Sequence, residues 1–316
     1  MALRNSLFAV SGKASFLDAR RDMSGLFVCD NTTMLPIAGI LDRSQDNLVT
    51  GNSNSMSVTV HPFNAVLNRY GALLIQNDGN VGVPLEAAPS ANSRIDVVYV
   101  KQGETRPPMS DGSDVPQFFV AKGVAAATPV APSVPAGGLA LAQVLLPAGV
   151  SNTAASGVVI TQTYIGAAMK GGMLRVQTSA QRDALTKVSD GTVVHNVADG
   201  CDYVRKGGKW RGWNMPLRDI HAGSHNVHLW ASGGVGYIDL LTANVNLTGW
   251  GSKVTVGQVN NSAFYPTSPE SVYAPSRDSY FPTSVSVAAD GQVYVEYAGG
   301  TGGSRIVSTV FPYCVG

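Results

Sequence analysis

Charge is scarce in this chain: 14% of its 316 residues are Asp, Glu, Lys or Arg, and 22 cations against 21 anions leave a net charge of +1. Nothing in that balance attracts a phosphate backbone or an anionic membrane surface, so neither nucleic acid nor membrane is an expected partner. Cysteine is as sparse. Cys29, Cys201 and Cys314 are odd in number and far apart, which fits neither a disulfide framework nor a zinc site; reduced, packed thiols are expected. No segment approaches the length of a membrane span, and the apolar stretch over residues 1–10 is too short for a signal peptide. A soluble protein made in a cytoplasm is therefore expected. No heptad run supplies a coiled coil. The catalytic signatures are missing too: no nucleophile elbow, no phosphate loop and no His-Glu-x-x-His, so the chain is expected not to be an enzyme and to need no cofactor.

What is abundant is turn chemistry. Gly 35 and Pro 17 punctuate the chain into short elements, and a mostly β fold follows. The length exceeds a single hydrophobic core, so the chain should divide. In the first part, Met56-Ser57-Val58-Thr59-Val60 and Ala72-Leu73-Leu74-Ile75 read as strands, the second leading into a turn at Asp78-Gly79. Arg94-Ile95-Asp96-Val97-Val98-Tyr99-Val100 reads as a buried strand from its β-branched residues.

One helix stands out. Thr178 and Gln181 have capping-box spacing, predicting a helix over residues 179–188. Three strands follow, around His195, Tyr203 and Trp210, in a meander too small to hold a core and so leaning on neighbours or on copies of itself. Beyond residue 215 the alternation of Val285 and Val287, then of Val293, Val295 and Tyr297, predicts antiparallel strands with one buried face, the material of a sandwich. Residues 260–281 read as a long loop carrying Phe264, Tyr265, Tyr273, Tyr280 and Phe281 among prolines and serines.

Three of these patterns resemble the minor tail proteins and tail fibres of bacteriophages, especially those of phages infecting Gram-positive actinobacteria. The first runs from Met56-Ser57-Val58-Thr59-Val60 through Ala91-Asn92-Ser93-Arg94-Ile95-Asp96-Val97-Val98 to Leu139-Ala140-Leu141-Ala142-Gln143-Val144-Leu145-Leu146. It is similar to the module by which such proteins join a tail or baseplate. The second joins Gly171-Gly172-Met173-Leu174-Arg175-Val176, Arg182-Asp183-Ala184-Leu185 and the meander ending at Trp210. The third is Ala289-Asp290-Gly291 with the closing strands to Phe311-Pro312-Tyr313, similar to the C-terminal sandwiches of the same proteins. The resemblance implies an attachment β module over residues 1–165, a connector of short helix and meander over 166–215 with a trimer contact, and a receptor-binding β-sandwich over 216–316. It also implies a homotrimer, a tail or baseplate protein as partner, a host-envelope saccharide as ligand and the virion tail as location. A purely structural tail component and a glycan depolymerase are the alternatives.

Candidate site residues follow from chemistry. Tyr and Trp present a flat apolar face with a polar handle, suited to stacking on sugar rings, which singles out Tyr265, Tyr273, Tyr280, Trp230 and Trp250 as receptor contacts. Their bland role is core packing or loop pinning. A depolymerase needs two carboxyl groups flanking the scissile bond, and Glu270 and Asp278 are those within the aromatic segment; solvation and turn hydrogen bonds are the alternative. His221, His225 and His228 cluster in sequence, but residues three apart on a strand face opposite sides, so no metal is expected.

Overall fold

The computed structural model describes residues 15–41, 47–278 and 280–316, and the stretch over residues 1–10 lies outside them. The protein is mostly β. It divides into two compact units, Met1–Thr192 and Val193–Gly316.

The first unit contains the helix α1 (Phe16–Ser24) and strands β1 (Gly39–Ile40), β2 (Val49–Gly51), β3 (Ser57–Val60), β4 (Phe63–Asn68), β5 (Ala72–Asn77) and β6 (Val81–Pro84). There follow β7 (Arg94–Gln102), β8 (Pro116–Ala121), β9 (Gly138–Leu146), β10 (Val159–Gln162), β11 (Leu174–Val176) and the helix α2 (Ser179–Ala184). Sheets ordered β1-β4-β5, β2-β3-β6 and β10-β9-β7-β8 surround one core containing Ile40, Val58, Val60, Phe63, Leu67, Val98, Leu141, Val144 and Leu146. Each such side chain contributes about 1.5–3 kcal/mol by leaving water. The register slips between Val98 and Tyr99, so that Leu141 and Ala142 of β9 both point inward, the mark of a bulge.

β7 carries a polar pair in this core. Arg94 and Asp96, two apart and hence on one face, are both buried, with Arg94 Nε 3.0 Å from Asp96 Oδ1. The guanidinium also donates to the carbonyls of Ala87 and Glu86, each at 2.6 Å, and Gly123 N donates to Asp96 Oδ1 at 2.9 Å. The pair therefore ties the approach to β7 and the exit from β8 to the central strand. A second network, Arg20 with Glu104, Arg69 with Glu104 and Asp111, and Lys101 with Asp111, holds α1 and the loop after β7 against the sheets.

Both helices differ from the expectation. α1 has no counterpart among the predicted elements, although Ser15 and Asp18 form its reciprocal capping box: Ser15 N donates to Asp18 Oδ2 and Asp18 N to Ser15 Oγ. α2 begins at the expected Thr178 cap but stops at Ala184. Leu185 leaves helical geometry (φ −76°, ψ 61°) and is buried, as is Val188, so packing overrides continuation. Gln181 does not complete the box, because its Oε1 accepts from Gln177 N at 2.7 Å instead of from Thr178.

The second unit holds β12 (Val193–Asn196), β13 (Cys201–Lys206), β14 (Lys209–Asp219), β15 (Asn226–Ser232), β16 (Val235–Leu247), β17 (Lys253–Gln258), β18 (Glu270–Pro275), β19 (Pro282–Val287), β20 (Gln292–Tyr297) and β21 (Gly303–Cys314). Antiparallel pairing orders β12-β13-β14-β15-β16-β21 in one sheet and β17-β20-β19-β18 in another. Their inward residues, Leu229, Ile238, Leu240, Val245 and Val307 from the first and Val256, Val285, Val287, Val293 and Val295 from the second, are buried, giving a β-sandwich. β14 explains how the small meander is supported. Its first half pairs with β13 and its second half with β15, so residue 215 lies inside a continuous strand shared by meander and head.

Residues 260–281 are not one long loop. They contain a short 3-10 turn (Ser262–Phe264) and the strand β18, which pairs with β19 from Glu270↔Val287 to Pro275↔Pro282. β18 is an edge strand, where proline is tolerated, and its few apolar residues hide the alternation.

Candidate functional site

Three connections of the second unit converge at one end of the sandwich: residues 248–252 between β16 and β17, 276–281 between β18 and β19, and 298–302 between β20 and β21. Tyr297 N donates to Ser252 O at 3.0 Å and Ala298 N to Pro282 O at 3.2 Å, stitching all three together. The third connection must run tightly against the second. Gly300 has φ +85°, and a Cβ there would lie 2.7 Å from the Phe281 ring, so glycine meets both demands.

At the centre lies Arg305, on β21, with no exposed surface. One terminal nitrogen donates to Pro282 O at 2.8 Å and the other to Gly299 O at 2.9 Å and Thr301 O at 2.6 Å. Its guanidinium also sits 5.3 Å from the Phe281 ring centroid and 4.6 Å from that of Tyr297, within cation–π range. One side chain thus clamps two of the connections to the strand beneath, and Tyr297 Oη donating to Gly300 O closes the arrangement.

Above this clamp two aromatics face solvent. Trp250 is 82% exposed and meets Tyr297 edge-on, with centroids 5.6 Å apart and planes at 73°. Tyr280 is 81% exposed and held at φ +56°, a left-handed conformation that costs a non-glycine residue about 1 kcal/mol or more. Ser276 fixes that turn: its carbonyl accepts from Tyr280 N and its Oγ from Phe281 N, both at 3.0 Å. Large aromatic surface left in water on a pinned backbone is suited to stacking on a flat ligand at low ordering cost.

The five aromatic candidates separate. Trp250 and Tyr280 share the loop end. Tyr273, 62% exposed, stands on the outer face of β18 beside Ser284. Tyr265 is half-buried against Gly291, where a Cβ would fall 2.5 Å from its ring. Trp230 is half-buried and stacks on Tyr237 across β15 and β16, with centroids 5.2 Å apart and planes at 7°, a cross-strand pair that stabilises the large sheet. Tyr297, Phe281 and Arg305 are absent from the sequence-based candidates. The available signal is Arg305 itself, two residues before Val307 and hence in phase with an inward-facing position.

The two carboxylates are engaged locally. Glu270 accepts from Cys314 N at 3.0 Å, and Asp278 from Ile306 N at 3.2 Å. His221 Nδ1 lies 2.6 Å from Asp219 Oδ1 on an exposed surface, and the backbone N–H of His221, then its ring, holds the Asp219 carboxyl below its ordinary value. His228 faces Asp219 and Asp239 across the sheet. Burial, with the nearby His221, lowers His225 below the usual histidine value. Among the described residues no group of three or more His, Cys, Asp or Glu converges.

The first unit offers two other features. Thr50 Oγ1, His61 Nε2 and Asn80 Oδ1 form a chain with links of 3.0 Å and 2.9 Å through the imidazole, lying beside the β2-β3-β6 sheet. A groove of about 770 Å³ runs along β4 and the edge strand β5, and Leu41, Asn64, Leu74, Ile75 and Gln76 are among the described residues that line it. No protein-family model matches the chain, and no match is found among curated protein sequences.

Proposed function

We propose that this protein is a structural component of a bacteriophage tail, a tail fibre or receptor-binding protein that joins the tail through its first unit and recognises a saccharide of the host envelope through the loop end of its second. The observation that carries the reading is the pairing of two outward aromatics, Trp250 and Tyr280, with a buried clamp that fixes the loops beneath them. Rigid scaffolds with binding residues on loops at one end are a common way for a sandwich to present a site. The attachment role of the first unit, the homotrimer and the virion location rest on the resemblance of the sequence patterns to phage tail proteins. Three copies would raise the apparent affinity of weak individual sugar contacts.

The test is retention of the full-length protein on purified envelopes from a panel of Gram-positive actinobacteria, against the variant Trp250→Ala/Tyr280→Gly. Glycine suits position 280 because it accepts the positive φ. Retention on at least one envelope, lost in the folded double variant, is expected. Equal retention of both proteins, or retention on none, refutes the reading. Released oligosaccharide would instead mark a depolymerase.

A further inference from the structure

We infer that the ligand of the loop end is an anionic saccharide, carrying carboxylate or phosphate, and not a neutral one; this rests on the reading just given. Four arginines among the described residues are buried, Arg69, Arg94, Arg205 and Arg305, and the Arg205 guanidinium lies 5.4 Å from the Trp210 ring centroid. Arg94 and Arg69 each hold a carboxylate: Asp96 in the first case, Glu104 and Asp111 in the second. Arg305 is buried completely, yet its partners among the described residues are three carbonyl oxygens and two ring faces, and its Nε has no hydrogen-bond partner. A buried guanidinium ordinarily has a counter-charge, because dipoles only partly replace the water it gave up.

The uncompensated charge lies close to the surface that would meet a ligand. Tyr297 is 4.6 Å from the guanidinium and 5.6 Å from the Trp250 ring, so Trp250 lies within about 10 Å of the charge. That is about one screening length at about 0.1 M salt, and the intervening material is protein. Arg277, exposed in the middle connection, adds a second cation, its backbone N fixed to Ile306 O at 2.8 Å. Lys253, at the exit of the first connection, is a third, with its ammonium 4.3 Å from the Tyr294 ring. The carboxylates on these same elements are Asp278, which accepts from Ile306 N, and Glu296, the cross-strand partner of Lys253, which accepts from Ser286 Oγ at 3.2 Å. Among the described residues of these elements, three cations therefore stand against two carboxylates that already accept hydrogen bonds. A sugar ring stacked on Trp250 would hold an acidic substituent in the field of Arg305, with Arg277 of the neighbouring connection as the exposed cation to pair with it.

The experiment measures retention of polygalacturonate by immobilised full-length protein, beside its fully methyl-esterified form, which has the same backbone without the charge, and polyglutamate, which has charge without sugar. Polygalacturonate should bind, weaken as salt is raised, and lose about tenfold in affinity on Arg277→Gln, the effect of one charge-assisted contact. Trp250→Ala should abolish it. Arg305→Gln, used only if it folds, should weaken acid binding likewise; the surface variant at 277 carries the test if it does not. Equal binding of the acid and the ester removes the anionic class and leaves the saccharide reading intact. Equal binding of polyglutamate, or binding of neither glycan, overturns the inference, whereas the saccharide reading falls only if the envelope experiment also fails.

Discussion

Replacing Asp96 with alanine should cripple the first unit. The carboxylate is fully buried and accepts from the Arg94 guanidinium at 3.0–3.1 Å and from Gly123 N at 2.9 Å. Alanine leaves a cation in the core with only the carbonyls of Ala87 and Glu86, and removing one partner of a buried pair costs about 3–5 kcal/mol. The change Asp96→Asn would retain an acceptor for the Gly123 N–H and for one guanidinium N–H, and should cost less, about 1–3 kcal/mol. The double change Arg94→Met/Asp96→Leu should recover much of the loss, because no unpaired charge remains. All four tryptophans, at positions 210, 213, 230 and 250, belong to the second unit, so their fluorescence reports on that unit. Urea unfolding of the first unit is better followed by far-ultraviolet circular dichroism together with hydrogen exchange of the β7 amides. With a denaturant slope of about 2 kcal/mol/M, the alanine variant should lower the midpoint by about 2 M. A cost below about 1 kcal/mol, or a double variant as unstable as the single one, would show that the pair does not hold the first unit together in this way.

Thiol reactivity should rank by environment. Burial, with Asp199 nearby, pushes the Cys201 thiol up to about 11, whereas Cys314 is exposed; at about pH 8 a disulfide reagent should label Cys314 first and Cys201 only on unfolding, and fast labelling of Cys201 in the folded protein would contradict this. Asp111 is held below its ordinary value of 3.8, chiefly by the hydrogen bond from Lys101 and further by Arg69, against the opposing effect of burial. Its contribution is therefore complete above the ordinary carboxylate range and lost as pH falls through its lower folded value. Asp111→Asn should cost about 1 kcal/mol near neutrality and flatten the acid limb of the stability profile, and an unchanged acid limb would contradict the assignment.

The mostly β character and the strands of the two meanders were legible because alternation and Gly-centred turns are local signals: Val285, Val287, Val293 and Val295 all turn inward as their spacing implies. α1 was missed because the Ser15–Asp18 box precedes a segment rich in charge, Asp18, Arg20, Arg21 and Asp22, with little apolar periodicity. β18 was hidden for a related reason, since an edge strand of Glu, Ser, Tyr and Pro lacks the hydrophobic run that announces a strand. The candidate site was half legible. Aromatic type pointed to Trp250 and Tyr280, but nothing local distinguishes them from Trp230, which its cross-strand partner Tyr237 takes into a stack. The Arg305 clamp depends on three connections meeting, a long-range event that no local pattern encodes.

We propose that recognition lives at the end of the second unit formed by residues 248–252, 276–281 and 298–302. Hydrogen exchange of the full-length protein, with and without a solubilised envelope glycan from a strain that retains it, locates the binding surface. Added glycan should slow exchange in those three connections and leave the outer faces of β15, β16 and β18 unchanged. Protection centred on Trp230 and Tyr237, on Tyr273, or anywhere in the first unit, with the three connections unaffected, would place recognition elsewhere.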